Sequence, residues 1–229
     1  MKRFWRAAMV TEQADGWGIA LDERPLKTPA RAPLSIPNRA LADAIAAEWD
    51  GAAETVDPRA MPLTGFANAA IDQVAPNRTT FADTLARYAE ADLLCYRADS
   101  PTKLVARQAE QWDPLLAWAR RRFDVDFVVT SGVIHVPQPA ATIERLGHAV
   151  HALDSLRLAP LAPLVTIGGS LVTALALIEE AIDFDTAWNA VSLDEQWQIE
   201  QWGADDEAVA SLAGRKRDVA GAKAFLDLL

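Results

Sequence analysis

From Leu158 to Ile178 the chain carries no charged residue, a run longer than the ~18 apolar residues that make a candidate membrane span. That stretch must lie in lipid or in the interior of a protein. Pro160 and Pro163 fall in its first part and Gly168-Gly169-Ser170 interrupts the rest. A helix starting near Pro163 would have only about ten to fifteen uninterrupted apolar positions, the length of a buried core helix. Neither an aromatic belt nor a flanking basic cluster marks the ends of the run. The reading is a buried helix, and with it a large helical core.

The surrounding composition suits that core. Of 229 residues, 51% are hydrophobic and 24% charged, which is the mix of a soluble globular protein and not of a disordered chain. The net charge of −10 disfavours a phosphate-backbone partner, because nucleic-acid binding needs a basic patch. Arg120-Arg121-Arg122 and Arg215-Lys216-Arg217 are the basic clusters, and both read as solvated positions at helix ends or turns. A single cysteine, Cys95, excludes an internal disulfide and fits a reducing compartment. The start, MKRFWRAAMVTE, lacks the apolar stretch of a signal peptide.

The first 60 residues differ from the remainder. Arg3 to Glu12 and Trp17 to Leu21 read as strands joined by the turn-forming QADG. RPLKTPARAPLSIP then alternates prolines with apolar residues, which predicts edge or irregular strands. Asn38 fits the cap of a helix over RALADAIAAEWD. From Pro62 the 3.6-residue period dominates, predicting helices over 62–74, 78–95, 102–122, 140–157, 164–182, 185–202 and 205–226. One hairpin, DFVVTSGVIHV, is expected to interrupt them near 125–136, with its turn at Ser131-Gly132. The expected organisation is α+β, with a small β-rich α+β domain over 1–60 and a mainly helical domain over 61–229.

Few residues form a chemical set. Glu144, His148 and His151 stand at i, i+4 and i+7 on one helical face and have zinc-compatible chemistry, but that face reads as solvent-exposed. The glycines of IGGSLVTAL lack the lysine and spacing of a phosphate loop, and small residues there permit a bend or close helix approach. Cys95 sits in an apolar stripe and reads as a buried structural thiol. No nucleophile-elbow serine is present.

SLDEQWQIEQWG, residues 192–203, holds the most information. If one helix ran from Thr186 to Trp202, then Trp188, Val191, Ile199 and Trp202 would share an apolar face with Glu195 at its centre. A carboxylate so placed needs a partner or a raised pKa. Alternatively Ser192 to Glu195 forms a capping box, in which the glutamate satisfies the Ser192 amide. On these residues alone the two readings stand level.

RPLKTP (24–29), LADAIAAEWD (41–50), MPLTGFANAAID (61–72), YAEADLLCYRADSP (88–101), WDPLLAW (112–118), GGSLVTALAL (168–177) and LDEQWQIEQWG (193–203) together resemble the family of ATP synthase assembly chaperones that bind the alpha subunit. Its members occur in mitochondria and in alphaproteobacteria. The resemblance implies a small N-terminal α+β domain, a helical orthogonal bundle, no enzymatic activity and no cofactor. It also implies transient binding of unassembled alpha subunit until the beta subunit replaces the chaperone. The family signature falls here on Leu193, Asp194, Glu195, Gln198, Trp202 and Gly203, with Glu195 at the position of a functionally important acid. The partner-binding set is therefore Glu195, Asp194, Gln198, Trp197 and Trp202, on a protein monomeric when free and located in the bacterial cytoplasm or, if eukaryotic, the mitochondrial matrix. The alternative is a small metal- or nucleotide-dependent enzyme built on the Glu144, His148 and His151 trio or on the Gly168-Gly169 turn.

Overall fold

A computed structural model describes residues 2–229. The described residues divide into two compact units: one comprises 2–78, 154–160 and 221–229, the other 79–153 and 161–220. The mixed α+β class expected from the sequence is present.

In the first unit, β1 (Ala8–Gln13) and β2 (Gly16–Leu21) form the expected antiparallel hairpin. Gly16 opens β2 with φ +143°, and a Cβ there would meet the Ile36 carbonyl oxygen at 2.5 Å, so only glycine fits. β3 (Arg24–Pro25) adds a short edge to β2, where a proline removes no donor the ladder needs. Helix α1 (Arg39–Asp50) starts at Asn38, whose side chain accepts from the Ala40 amide, and buries Leu41, Ile45 and Trp49 one turn apart. Glu48 on α1 then caps the next helix, α2 (Pro62–Ala69). Its carboxylate accepts from the Leu63 and Thr64 amides at 2.8 Å each and from the Thr64 hydroxyl at 2.7 Å. The core of this unit gathers Trp5, Ile19, Leu34, Ile36, Leu41, Ile45 and Met61, and is completed by Phe225 from the end of the chain. Phe225 is fully buried and stacks on Phe66 at a centroid distance of 5.6 Å. The terminal Leu229 carbonyl accepts from the Asn38 side chain.

The second unit is helical. From residue 79 it comprises the rest of α3 (Arg78–Ala86), two 3₁₀ turns and the two-residue strand β4 (Tyr96–Arg97). The long α4 (Thr102–Phe123) follows, and its buried Trp112 donates its indole N–H to the Ala190 carbonyl at 2.8 Å. The hairpin expected over 126–136 does not form. Only Thr130–Ser131 is extended, as β5, and it pairs in parallel with β4. Phe127 is buried but Val128, Val129, Val133 and Ile134 are exposed, so the β-prone run flanking Ser131-Gly132 buries no continuous face here. α5 covers Ala140–His151.

The charge-free run forms two helices, α6 (Ser155–Gly168) and α7 (Leu171–Ile178). Contrary to expectation, Pro160 and Pro163 lie inside α6. Leu158, Leu161, Leu164 and Val165 are buried there at roughly 1.5–3 kcal/mol each, which offsets the ~3 kcal/mol that each interior proline costs. Gly168 and Gly169 act as the bend: Gly169 has φ +65°, and a Cβ on Gly168 would press on Val191 at 3.1 Å. Among the described residues no helix is long and apolar enough to cross a membrane. The remaining helices are α8 (Phe184–Val191), α9 (Leu193–Trp202) and α10 (Asp206–Leu226). Arg215-Lys216-Arg217 therefore lies in mid-helix, not at an end. Arg120 to Arg122 does occupy the last turn of α4.

Candidate functional site

The single helix imagined from Thr186 to Trp202 is broken at Ser192. Its hydroxyl donates back to the Trp188 carbonyl at 2.5 Å and accepts from the Gln196 side chain at 2.6 Å, a back-bond that competes with helix continuation. The capping box is absent too, since Ser192 provides no side-chain cap to α9 and its own amide is bonded to the Trp188 carbonyl. Glu195 is thus free of both local roles proposed for it. The common apolar face dissolves with the helix: Trp188 is buried at 5% exposure in α8, while Trp202 is 78% exposed at the end of α9.

Instead α9 and the first half of α10 face each other across a turn at Gly203, which has φ +82°. The Asp205 carboxylate caps α10 by accepting from the Ala208 amide at 2.7 Å. Between the two helices lies a cleft of about 390 Å³ lined by Glu195, Gln198, Ile199 and Trp202 on one side and by Asp205, Ala208, Ser211, Leu212 and Arg215 on the other. Arg215 Nη1 donates to Glu195 Oε1 at 2.8 Å, with both side chains more than a third exposed. Arg215 Nε is buried and has no acceptor.

The five residues singled out from sequence divide. Glu195, Gln198 and Trp202 line one cleft. Asp194 points elsewhere, accepting from Gln108 Nε2 at 2.8 Å. Gln108 is itself buried and accepts from the Ala98 amide, so Asp194 ties α9 to α4. Trp197 is half-buried. Two residues paired with this region escaped sequence reasoning. Arg215 was read as solvated surface, and the basic triplet midway along a predicted helix facing an acid-rich one was the available signal. Glu200, which pairs with Arg107 at 2.6 Å, has its pKa lowered by that hydrogen bond.

The alternative chemistry finds little geometry. Among the described residues no group of three or more His, Cys, Asp or Glu is arranged to hold a metal ion. His151 is paired with Asp83 at 2.9 Å, and Glu144 and His148 line the same shallow cleft as Arg87. The helix start after Gly168-Gly169 already holds an anion of the protein's own. Asp92, wholly buried, accepts from the Val172 amide at 2.9 Å and from the Leu94 amide at 3.1 Å. Burial pushes its carboxyl up to about 6, against an opposing pull from those hydrogen bonds. Cys95 is buried as expected, and desolvation first, then Asp92, pushes its thiol up to about 12.

A surface cleft with an exposed tryptophan, a half-exposed acid and amide side chains has the makings of a protein-binding face. The comparisons with known proteins agree in kind. The model of a family described as "ATP12 chaperone protein" matches residues 2–120, just over half of the chain, and this protein belongs to that chaperone family. The crystal structure of Atp12 from Paracoccus denitrificans superposes with a TM-score of 0.95 at 44% identity, covering 99% of this chain and 97% of that one. A mutant of the same Paracoccus protein fits equally well. Mitochondrial atp12 of Schizosaccharomyces pombe is 27% identical over 219 residues, 90% of this chain and 75% of the yeast protein.

Proposed function

We propose that this protein is an assembly chaperone of ATP synthase that binds the unassembled alpha subunit and covers its assembly surface until the beta subunit docks. It acts by stoichiometric binding, as a monomer when free, in the bacterial cytoplasm or, in a mitochondrial member, the matrix. The observation that carries the reading is Trp202, a 78%-exposed indole that lines the same cleft as the Glu195 carboxylate, two turns back on α9. Large exposed aromatics beside a charge are the usual anchors of a transient interface. The net charge of −10 steers such a binder toward a positive surface and keeps the complex soluble.

Co-expression with the alpha subunit, followed by size exclusion, tests this. A one-to-one complex is expected. Trp202→Ala and Glu195→Lys are each expected to weaken it by about tenfold or more while the circular dichroism melt stays near wild type. Retention of full affinity by both variants would remove the α9 face from the interface.

A further inference from the structure

Glu195 is already occupied in the free protein. Its partner is a guanidinium from the facing helix, and that guanidinium is poorly held. Arg215 makes one hydrogen bond through Nη1, and its Nε is buried against no acceptor. An arginine fork that meets a carboxylate with two parallel N–H donors is the stronger arrangement, and Arg215 does not reach it. The cleft around the pair is nevertheless shaped for such a fork. Ile199 and Leu212 line it with apolar side chains, Trp202 with an indole and Glu195 with a carboxylate, while the Asp205 carboxylate beside them is engaged in capping α10. α9 itself contains no basic residue. These are the requirements of an arginine side chain: a sheathed stem, a π-surface and an acceptor pair.

We propose that Arg215 is an internal placeholder for an arginine of the client. In the free chaperone it neutralises Glu195 and keeps the carboxylate from being an open site for any cation. On docking, a client guanidinium enters the cleft, takes Glu195 in bidentate fashion against Trp202, and Arg215 swings out into water, where its Nε is hydrated. Recognition is an exchange of one ion pair for another, so the net electrostatic gain is small and the complex can be dissolved by a competitor. The inference rests on the α9 face being the client-binding face.

Affinities of four proteins for the alpha subunit decide it: wild type, Arg215→Ala, Glu195→Gln and the double variant. Removing the placeholder is expected to tighten binding about two- to fivefold, the size of a half-exposed ion pair that no longer competes. Glu195→Gln is expected to weaken binding, and adding Arg215→Ala to Glu195→Gln is expected to change nothing further, because the competition needs the charge. Arg215→Gln, which removes the charge but keeps a helix-compatible stem, is expected to tighten binding as the alanine does and decides the matter where the alanine variant melts early. If Glu195→Gln weakens binding but Arg215→Ala fails to tighten it, the placeholder is refuted while the docking face stands. If Glu195→Gln binds as wild type, the docking face fails and the placeholder with it.

Discussion

Asp92 and Glu195 are both carboxylates beside the first turn of a helix, and they are used in opposite ways. Asp92 is sealed beneath the start of α7, where backbone amides at 2.9 and 3.1 Å fix both of its oxygens. Glu195 sits in the first turn of α9 at 40% side-chain exposure, held by the tip of one long side chain. A carboxylate gripped by backbone cannot be offered to a partner without undoing the fold. One gripped by a rotatable arginine can be released by turning a few torsions. The contrast separates an acid that builds the molecule from one that faces outward.

The largest effect expected from testing this contrast is that of Asp92→Ala. It leaves two buried amide donors without acceptors at roughly 1–3 kcal/mol each, and urea unfolding is expected to show a loss of roughly 3–5 kcal/mol once the cavity is included. A loss below ~1 kcal/mol would mean that the site relaxes and that the Val172 and Leu94 amides do not depend on Asp92. Next comes pH. The folded carboxyl is raised to about 6 from 3.8, so in the range between these values the folded state holds a proton that the unfolded state has released. Stability from this group is therefore fully present below 3.8 and is lost as pH rises through 6, by up to ~3 kcal/mol. Asp92→Asn cannot titrate, so the wild-type advantage over it is expected to grow as pH falls from 7 to 4. An advantage that shrinks or stays flat would contradict the assignment. Smallest is the effect on stability of Glu195→Gln, expected at no more than ~1 kcal/mol because a half-exposed ion pair contributes little. A drop as large as that of Asp92→Ala would erase the distinction between the two acids.

Much of the architecture is readable in the chain because its signals are local. QADG between two strands, Asn38 before an apolar 3.6-residue period and the Gly-Gly-Ser interruption each act within a few residues, and each is found where expected. The failures share a different cause. The β-branched residues near 125–136 say strand, but pairing is decided by Tyr96–Arg97, far away in sequence. The helical phase runs unbroken through Ser192, and only a hydroxyl turning back to Trp188 ends it. The prolines of α6 are overruled by burial that no window of sequence reports. At the candidate site, Glu195, Gln198 and Trp202 were identifiable on α9, whereas Arg215 was not, because nothing near either residue states that the chain reverses at Gly203 and brings position 215 back to position 195.

The seat of Phe225 carries a consequence for biogenesis. The core that residues 2–78 build includes Phe225, far later in the chain and packed on Phe66, so its place stays unfilled until that position has been translated. Until then the nascent chain exposes an apolar slot of its own, and a truncation that stops short of position 225 would leave that slot open for good. Until position 225 emerges, this member of a chaperone family itself exposes apolar surface of the kind that makes incomplete chains prone to aggregate.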